Sequence, residues 1–167
     1  MKKLPPEYDI RYSLQDDLQA LESWFSDPVE RRLFPFETDA ETKEALKNWI
    51  GFAKFKASLT GLIAGQPCAL GSLFLMPYRK VAHHCSFFLI VDPEFRRKGV
   101  GTSMVRNLIH LAKTRFRLES IQAEVFEPSE MVSVLQKLQF ESYARQENFI
   151  KIEGKSHARV LMEHFFS

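Results

Sequence analysis

Cysteine is scarce: only Cys68 and Cys85 occur in 167 residues. A chain with enough apolar residues for a core needs no disulfide framework, so a reducing, cytoplasmic setting is the expectation. Long apolar runs are also missing. The longest, Phe87-Phe88-Leu89-Ile90-Val91, has strand length and falls short of the roughly 18–20 residues of a membrane span, so no membrane partner is expected. The opening Met1-Lys2-Lys3-Leu4-Pro5-Pro6-Glu7 has no apolar run behind its lysines, which argues against a secretory signal. Charge of one sign is nearly balanced out: 23 Lys and Arg against 21 Asp and Glu leave +2, too little for a general nucleic-acid binder. No internal repeat, low-complexity tract or linker interrupts the chain.

The hydrophobic share of 45% and charged share of 26% suit an ordinary globular chain, and the length suits one domain over residues 1–167. Phenylalanine is over-represented, at 15 against 4 Tyr and 2 Trp. Rings without polar handles build cores, and an apolar groove is the other use open to them.

The apolar periodicity divides the chain into elements. A short strand covers Asp9–Tyr12, and Ser13 caps a helix carrying Leu14, Leu18, Leu21 and Trp24-Phe25. Residues 29–38 read as a loop or a turn of helix with exposed aromatics. Asp39 caps a second helix from Ala40 to about Lys56. Ala57–Ile63 and Cys68–Met76 are strands around a Gly65-Gln66-Pro67 hairpin, and His84–Val91 is a third. Gly99–Arg115 is a helix, Ser120–Phe126 a strand, and Ser129 caps a short helix over Glu130–Leu138. Two last strands, Glu147–Glu153 and Ala158–Phe166, meet across Gly154-Lys155. The strand–helix–strand passage from 84 to 126 requires a parallel pair with a right-handed crossover. The predicted fold is α/β: a single mixed, mostly antiparallel sheet of about six to seven strands with a central splayed parallel pair and helices on both faces.

The most informative stretch runs from Val91 through Asp92-Pro93-Glu94-Phe95-Arg96-Arg97-Lys98 to Gly99-Val100-Gly101-Thr102. A buried strand ends, and a long helix opens at two glycines one residue apart. The first turn of a helix leaves four N–H groups without partners at the positive end of its dipole. Glycine lets a ligand approach that backbone, and three cations stand just upstream. This suits a pyrophosphate. It is not a P-loop, because the lysine precedes the glycines, and it is not a dinucleotide fingerprint, because Met104 takes the third glycine's place. A plain helix start with a solvated basic cap is the competing reading of the same residues.

Arg96-x-x-Gly99-x-Gly101 after Val91-Asp92-Pro93 resembles the acetyl-CoA motif of the GCN5-related N-acetyltransferases (GNAT). Ile121–Phe126 and the segment from Ser129 to Leu138-Gln139-Phe140 resemble that family's next strand and helix. Gly65–Gly71 resembles its early hairpin, and the likeness spans roughly 58–150. The resemblance implies acetyl-CoA as co-substrate, with no metal. The amides of Arg97, Lys98, Gly99, Val100, Gly101 and Thr102 would wrap its pyrophosphate. Backbone groups of Leu89 and Val91 would pair with the pantetheine arm. Arg96, Arg97 and Lys98 would balance a cofactor charge of roughly −3 to −4. Ser129 stands where the family often has a pantetheine-binding asparagine, and it offers a hydroxyl or a helix cap.

Acetyl transfer to an amine needs a proton acceptor, a donor for the thioester oxygen and a proton for the leaving thiolate. By resemblance, a backbone N–H at the end of the Ser86–Val91 strand is the donor to that oxygen and Glu124 is the general base. A solvent-facing or ion-paired strand glutamate is the plain alternative for Glu124. The family's tyrosine acid is absent, since Leu135 holds its place, and Tyr143 is a nearby substitute. His83-His84-Cys85 does not suggest a metal, because neighbours on a strand point to opposite faces. The acceptor expected from the resemblance is a small-molecule amine or a peptide N-terminus, met by the loop around Glu30–Glu37 and by the last hairpin. A homodimer stays open, as does a non-catalytic acyl-CoA-binding or regulatory module of the same fold.

Overall fold

The computed structural model describes residues 2–167; Met1, which begins the lysine-bearing opening segment, lies outside them. Seven strands form one sheet in the order β1-β2-β3-β4-β5-β7-β6. They are β1 (Tyr8–Tyr12), β2 (Ser58–Ile63), β3 (Gln66–Leu75), β4 (His84–Val91), β5 (Ser120–Phe126), β6 (Glu141–Ile152) and β7 (Lys155–Phe165). The helices are α1 (Leu18–Trp24), α2 (Asp39–Ile50), α3 (Val100–Thr114) and α4 (Met131–Lys137). Every neighbouring pair is antiparallel except β4–β5, which α3 joins as a crossover. This is the mixed sheet that the sequence predicts.

Period-2 alternation in the strands separates two apolar layers. Leu73 and Cys85 face α3 and α4 with Val100, Met104, Val105, Leu108 and Leu135. Leu70, Phe88 and Ile90 face α1 and α2 with Leu21, Trp24, Leu46 and Trp49. Helices therefore lie on both faces. Among the described residues, no helix is long and apolar enough to cross a membrane.

Several local expectations change. Ser13 is not a helix cap: it is buried, and its hydroxyl joins Ser58, Thr60 and Ser72 in a chain of hydrogen bonds. The helix start is held instead by the Asp17 carboxylate, which accepts from Leu14 N–H at 2.8 Å. Thr38 rather than Asp39 caps α2, because Thr38 and Glu41 complete a reciprocal capping box. That helix ends at Ile50, and Gly51–Phe55 continues as 3-10 turns closed by a left-handed Lys56. The aromatics of the 29–38 loop are not all outside. Phe36 is buried, and Phe34 and Phe36 pack with Phe25 and Trp49. Arg31 holds that loop from within, donating to the Phe25 and Glu37 carbonyls and pairing with Asp39. The penultimate strand starts at Glu141, six residues before the expected Glu147, because two register shifts break the alternation that would reveal it.

Candidate active site

The parallel pair is short. Only His84↔Ser120, Cys85↔Ile121 and Ser86↔Gln122 are matched. Beyond them β4 continues against β3 as far as Val91, and β5 continues against β7 as far as Phe126. A wedge thus opens between the two strands toward their C-terminal ends. The ladders fix which groups line it. Asp92 N–H donates to the Cys68 carbonyl at 2.8 Å, so Asp92, Ile90 and Phe88 bond toward β3. Leu89 and Val91 alternate with them and turn their N–H and C=O into the wedge. On β5, Glu127 N–H donates to Ala158 at 2.9 Å, so Glu124 and Phe126 turn theirs in from the other side.

The turn after β4 closes the wide end of the wedge. Asp92 accepts from Glu94 N–H and starts a 3-10 turn over Pro93–Phe95. Arg97 then adopts φ 61° and Gly99 φ 84°. Gly99 occupies a left-handed conformation that glycine accepts without cost, and α3 begins from it with no side-chain cap. The helix's first internal bond runs from Ser103 N–H to the Gly99 carbonyl, which leaves the preceding amides without helical partners. Gly101 differs from Gly99. A Cβ there would meet Val91 Cγ2 at 3.7 Å and Leu89 Cδ2 at 4.0 Å, ordinary contacts, so packing does not demand glycine.

The cations of the turn have separate engagements. Arg96 donates through Nε to the Val91 carbonyl at 3.2 Å and pairs with Glu30 at 2.6 Å. It therefore ties the α1–α2 segment to the end of β4. Arg97 pairs with Glu130 at the start of α4. Lys98 lies over the Phe95 ring with Nζ 5.4 Å from its centroid. Ser129 Oγ accepts from Met131 N–H at 3.1 Å, one residue ahead of Glu130, which is the N-cap of α4 in place of the expected Ser129.

Glu124 lies on the sheet face opposite α3, outside both apolar layers. It pairs with Arg159 of the adjacent strand. Arg159 also donates to Gln146 and stacks 3.8 Å from the centroid of Phe149, which in turn stacks on Phe126. Beside them Arg145 pairs with both Glu127 and Glu147. Sequence reading missed this cluster, because placing Arg159 beside Phe126 and Glu124 needs the β5–β7 register. The alternation of Arg159 with buried Ala158 and Val160 is the one signal that marks its face.

Residues 11–140 match the model of the Acetyltransferase (GNAT) family. The chain belongs to that family. Solved structures agree with the fold. A GCN5-related N-acetyltransferase from Kribbella flavida is 18% identical, with a TM-score of 0.82 and coverage of 97% of this chain and 99% of that one. A ribosomal-protein-alanine N-acetyltransferase from Brucella melitensis is 18% identical, with a TM-score of 0.79 and coverage of 95% and 99%. A phosphinothricin acetyltransferase from Sinorhizobium meliloti, solved with acetyl-CoA, is 14% identical, with a TM-score of 0.83 and coverage of 96% and 89%. No curated protein sequence matches the chain.

In this GNAT chain Leu135, at the place of the family tyrosine, is fully buried in the α3–α4 layer and has no proton to give. Tyr143 on β6 is half exposed. Burial pushes the Cys68 thiol up to about 11, with the nearby Asp92 charge adding to it, and burial pushes Cys85 up to about 12. Both thiols are protonated at neutral pH and serve as small core residues. His84 stands at the closed end of the β4–β5 pair, remote from the wide end, with a buried Nδ1 that finds no partner. Among the described residues, no three His, Cys, Asp or Glu side chains gather as metal ligands.

Proposed function

We propose that residues 1–167 form one N-acetyltransferase domain that moves an acetyl group from acetyl-CoA to a primary amine of a small molecule or a peptide N-terminus. The observation that carries this reading is the wedge with α3 opening at its wide end. Two strand edges face each other across it without a ladder, and backbone groups of Leu89 and Val91 point into it. An amide-bearing pantetheine chain fits there as a strand would. The uncapped amides from Arg97 to Thr102 fit its diphosphate, and at Gly101 the protein's own packing does not require glycine. Acetyl-CoA supplies the activated acetyl group. The chain's own groups orient it and handle the protons. Arg96, bonded to Val91 and Glu30, positions the turn. Arg97 and Lys98 balance cofactor charge. Ser129 acts through the start of α4, where its hydroxyl is already engaged.

Glu124 is the proposed proton acceptor. It is the exposed residue of β5, the strand whose edge lines one side of the wedge. Its ion pair with Arg159 sets a condition: taking a proton from the amine leaves Arg159 without its charge partner. The same pair and the buried Leu135 favour a second reading, an acyl-CoA-binding module without turnover. Calorimetric titration with acetyl-CoA, followed by an amine panel read as free CoA release, tests both. Tight binding with release on one amine class supports the transferase. Tight binding with no release across the panel supports the module. No binding removes both.

A further inference from the structure

Residues 2–6, ahead of β1, form an arm that lies against the turn that opens α3. Tyr8 Oη donates to Ser103 Oγ at 3.0 Å, and the Glu7 carbonyl accepts from Ala64 N–H, so the root of the arm is fixed to α3 and β2. From there the chain runs back to Gly99. A Cβ on Gly99 would lie 3.5 Å from the Lys2 carbonyl oxygen and 3.7 Å from Leu4 Cδ2. Pro5 and Pro6 restrict the intervening backbone and lower the entropy lost in holding it there. Arm residues 2–6 line a surface pocket of about 550 Å³ together with Arg97 and Lys98. Every charged residue in its wall is a cation: Lys2, Lys3, Arg97 and Lys98. Only Arg97 has a carboxylate partner, Glu130; among the described residues Lys2, Lys3 and Lys98 make no ion pair. Three of these four cations have no counter-charge, so the cluster favours a bound polyanion.

We infer that the arm is a fixed strap of the cofactor site, and that Lys2 and Lys3 bind the 3′-phosphate of coenzyme A. The inference rests on the acetyl-CoA reading above and adds a specificity to it. The α3 amides are backbone donors aimed at a diphosphate. A second phosphate on the ribose needs its own cations, and the pocket beside the turn holds them. The arm thereby selects the 3′-phosphorylated cofactor over its dephospho form.

The test is calorimetric titration of the full chain with acetyl-CoA and with acetyl-3′-dephospho-CoA, in the wild type and in a Lys2→Ala/Lys3→Ala variant. The wild type should favour acetyl-CoA. The variant should bind acetyl-CoA about three- to tenfold more weakly, as expected for two exposed charge pairs, and bind the dephospho form within about twofold of wild type. The loss should shrink at high salt, where exposed charges are screened. Equal losses for both ligands, or no loss for either, overturn the strap. Tighter binding by the variant also overturns it, since the arm would then obstruct the turn. A wild type that binds neither ligand overturns the acetyl-CoA reading together with the strap, whereas a wild type that binds both equally removes the strap alone.

Discussion

Asp17 and Glu124 are both paired with arginine, but their surroundings differ. Asp17 is buried at the foot of α1. Burial alone would push its carboxyl up, but donation from Arg11, Leu14 N–H and the Thr60 hydroxyl together holds it below its ordinary 3.8. A lowered folded value stabilises the fold above the unfolded one, and that contribution is lost as pH falls through the lowered value. Asp17→Asn should therefore cost about 2 kcal/mol at neutral pH, the scale of a hydrogen bond to a charged group. The gap from wild type should narrow in acid, as pH falls through that lowered value and the wild-type carboxyl takes up its proton. Urea unfolding at neutral and at acid pH checks this, and a constant gap would mean that the charge is irrelevant. Glu124 is half open instead, with one arginine beside it. Glu124→Gln keeps the shape and removes the proton acceptor. The turnover rate should fall by at least about 10²-fold with acetyl-CoA affinity nearly unchanged. The loss should shrink at alkaline pH, where the amine deprotonates unaided. Wild-type turnover at neutral pH would remove Glu124 from the mechanism, and proton removal would fall to water.

At the scale of elements, α3 combines a packing role with the binding role proposed for its first turn, on one 15-residue helix. Val100, Met104, Leu108, Ile109, Leu111 and Ala112 were legible as its inner stripe because they recur at helical spacing, and all are buried except Ile109, which is half-buried. Its opening was legible because a glycine pair after a buried strand has few structural uses. What was hidden depended on register. Glu30 and Arg96 are 66 residues apart, and Arg159 meets Glu124 only through β5–β7 pairing. No local pattern carries such contacts. Ser13 and Asp39 show the opposite limit, since each had a neighbour better placed to cap: Asp17 for one helix, Thr38 for the other. The two roles of α3 separate at Gly101. Gly101→Ala adds a Cβ at ordinary contact distance and favours the helix, so stability should hold or rise by up to about 1 kcal/mol. Gly101→Glu should fold as well, yet lose acetyl-CoA binding by orders of magnitude, because a charged side chain would meet the diphosphate. Thermal melting and titration of the two variants measure both effects, and micromolar binding by folded Gly101→Glu would contradict the phosphate assignment.

Across the whole molecule the sheet is two half-sheets, β1–β4 and β5–β7, joined by three residue pairs and the α3 crossover. A cofactor chain lying in the wedge would complete the ladder that β4 and β5 leave open. The consequence alternates along β4. Phe88 and Ile90 already donate toward β3, whereas Leu89 and Val91 donate into the wedge. In amide hydrogen exchange followed residue by residue, acetyl-CoA should slow Leu89 and Val91 strongly and leave Phe88 and Ile90 nearly as they were. Saturation at about 100 times Kd should also stabilise the fold by about 2.7 kcal/mol, a rise of roughly 5–10 °C in melting temperature for a chain of this size. A uniform slowing along β4 would report only this global stabilisation. Protection confined to Leu89 and Val91 would report a ligand hydrogen-bonded as an added strand, and no change at either residue would place the cofactor outside the wedge.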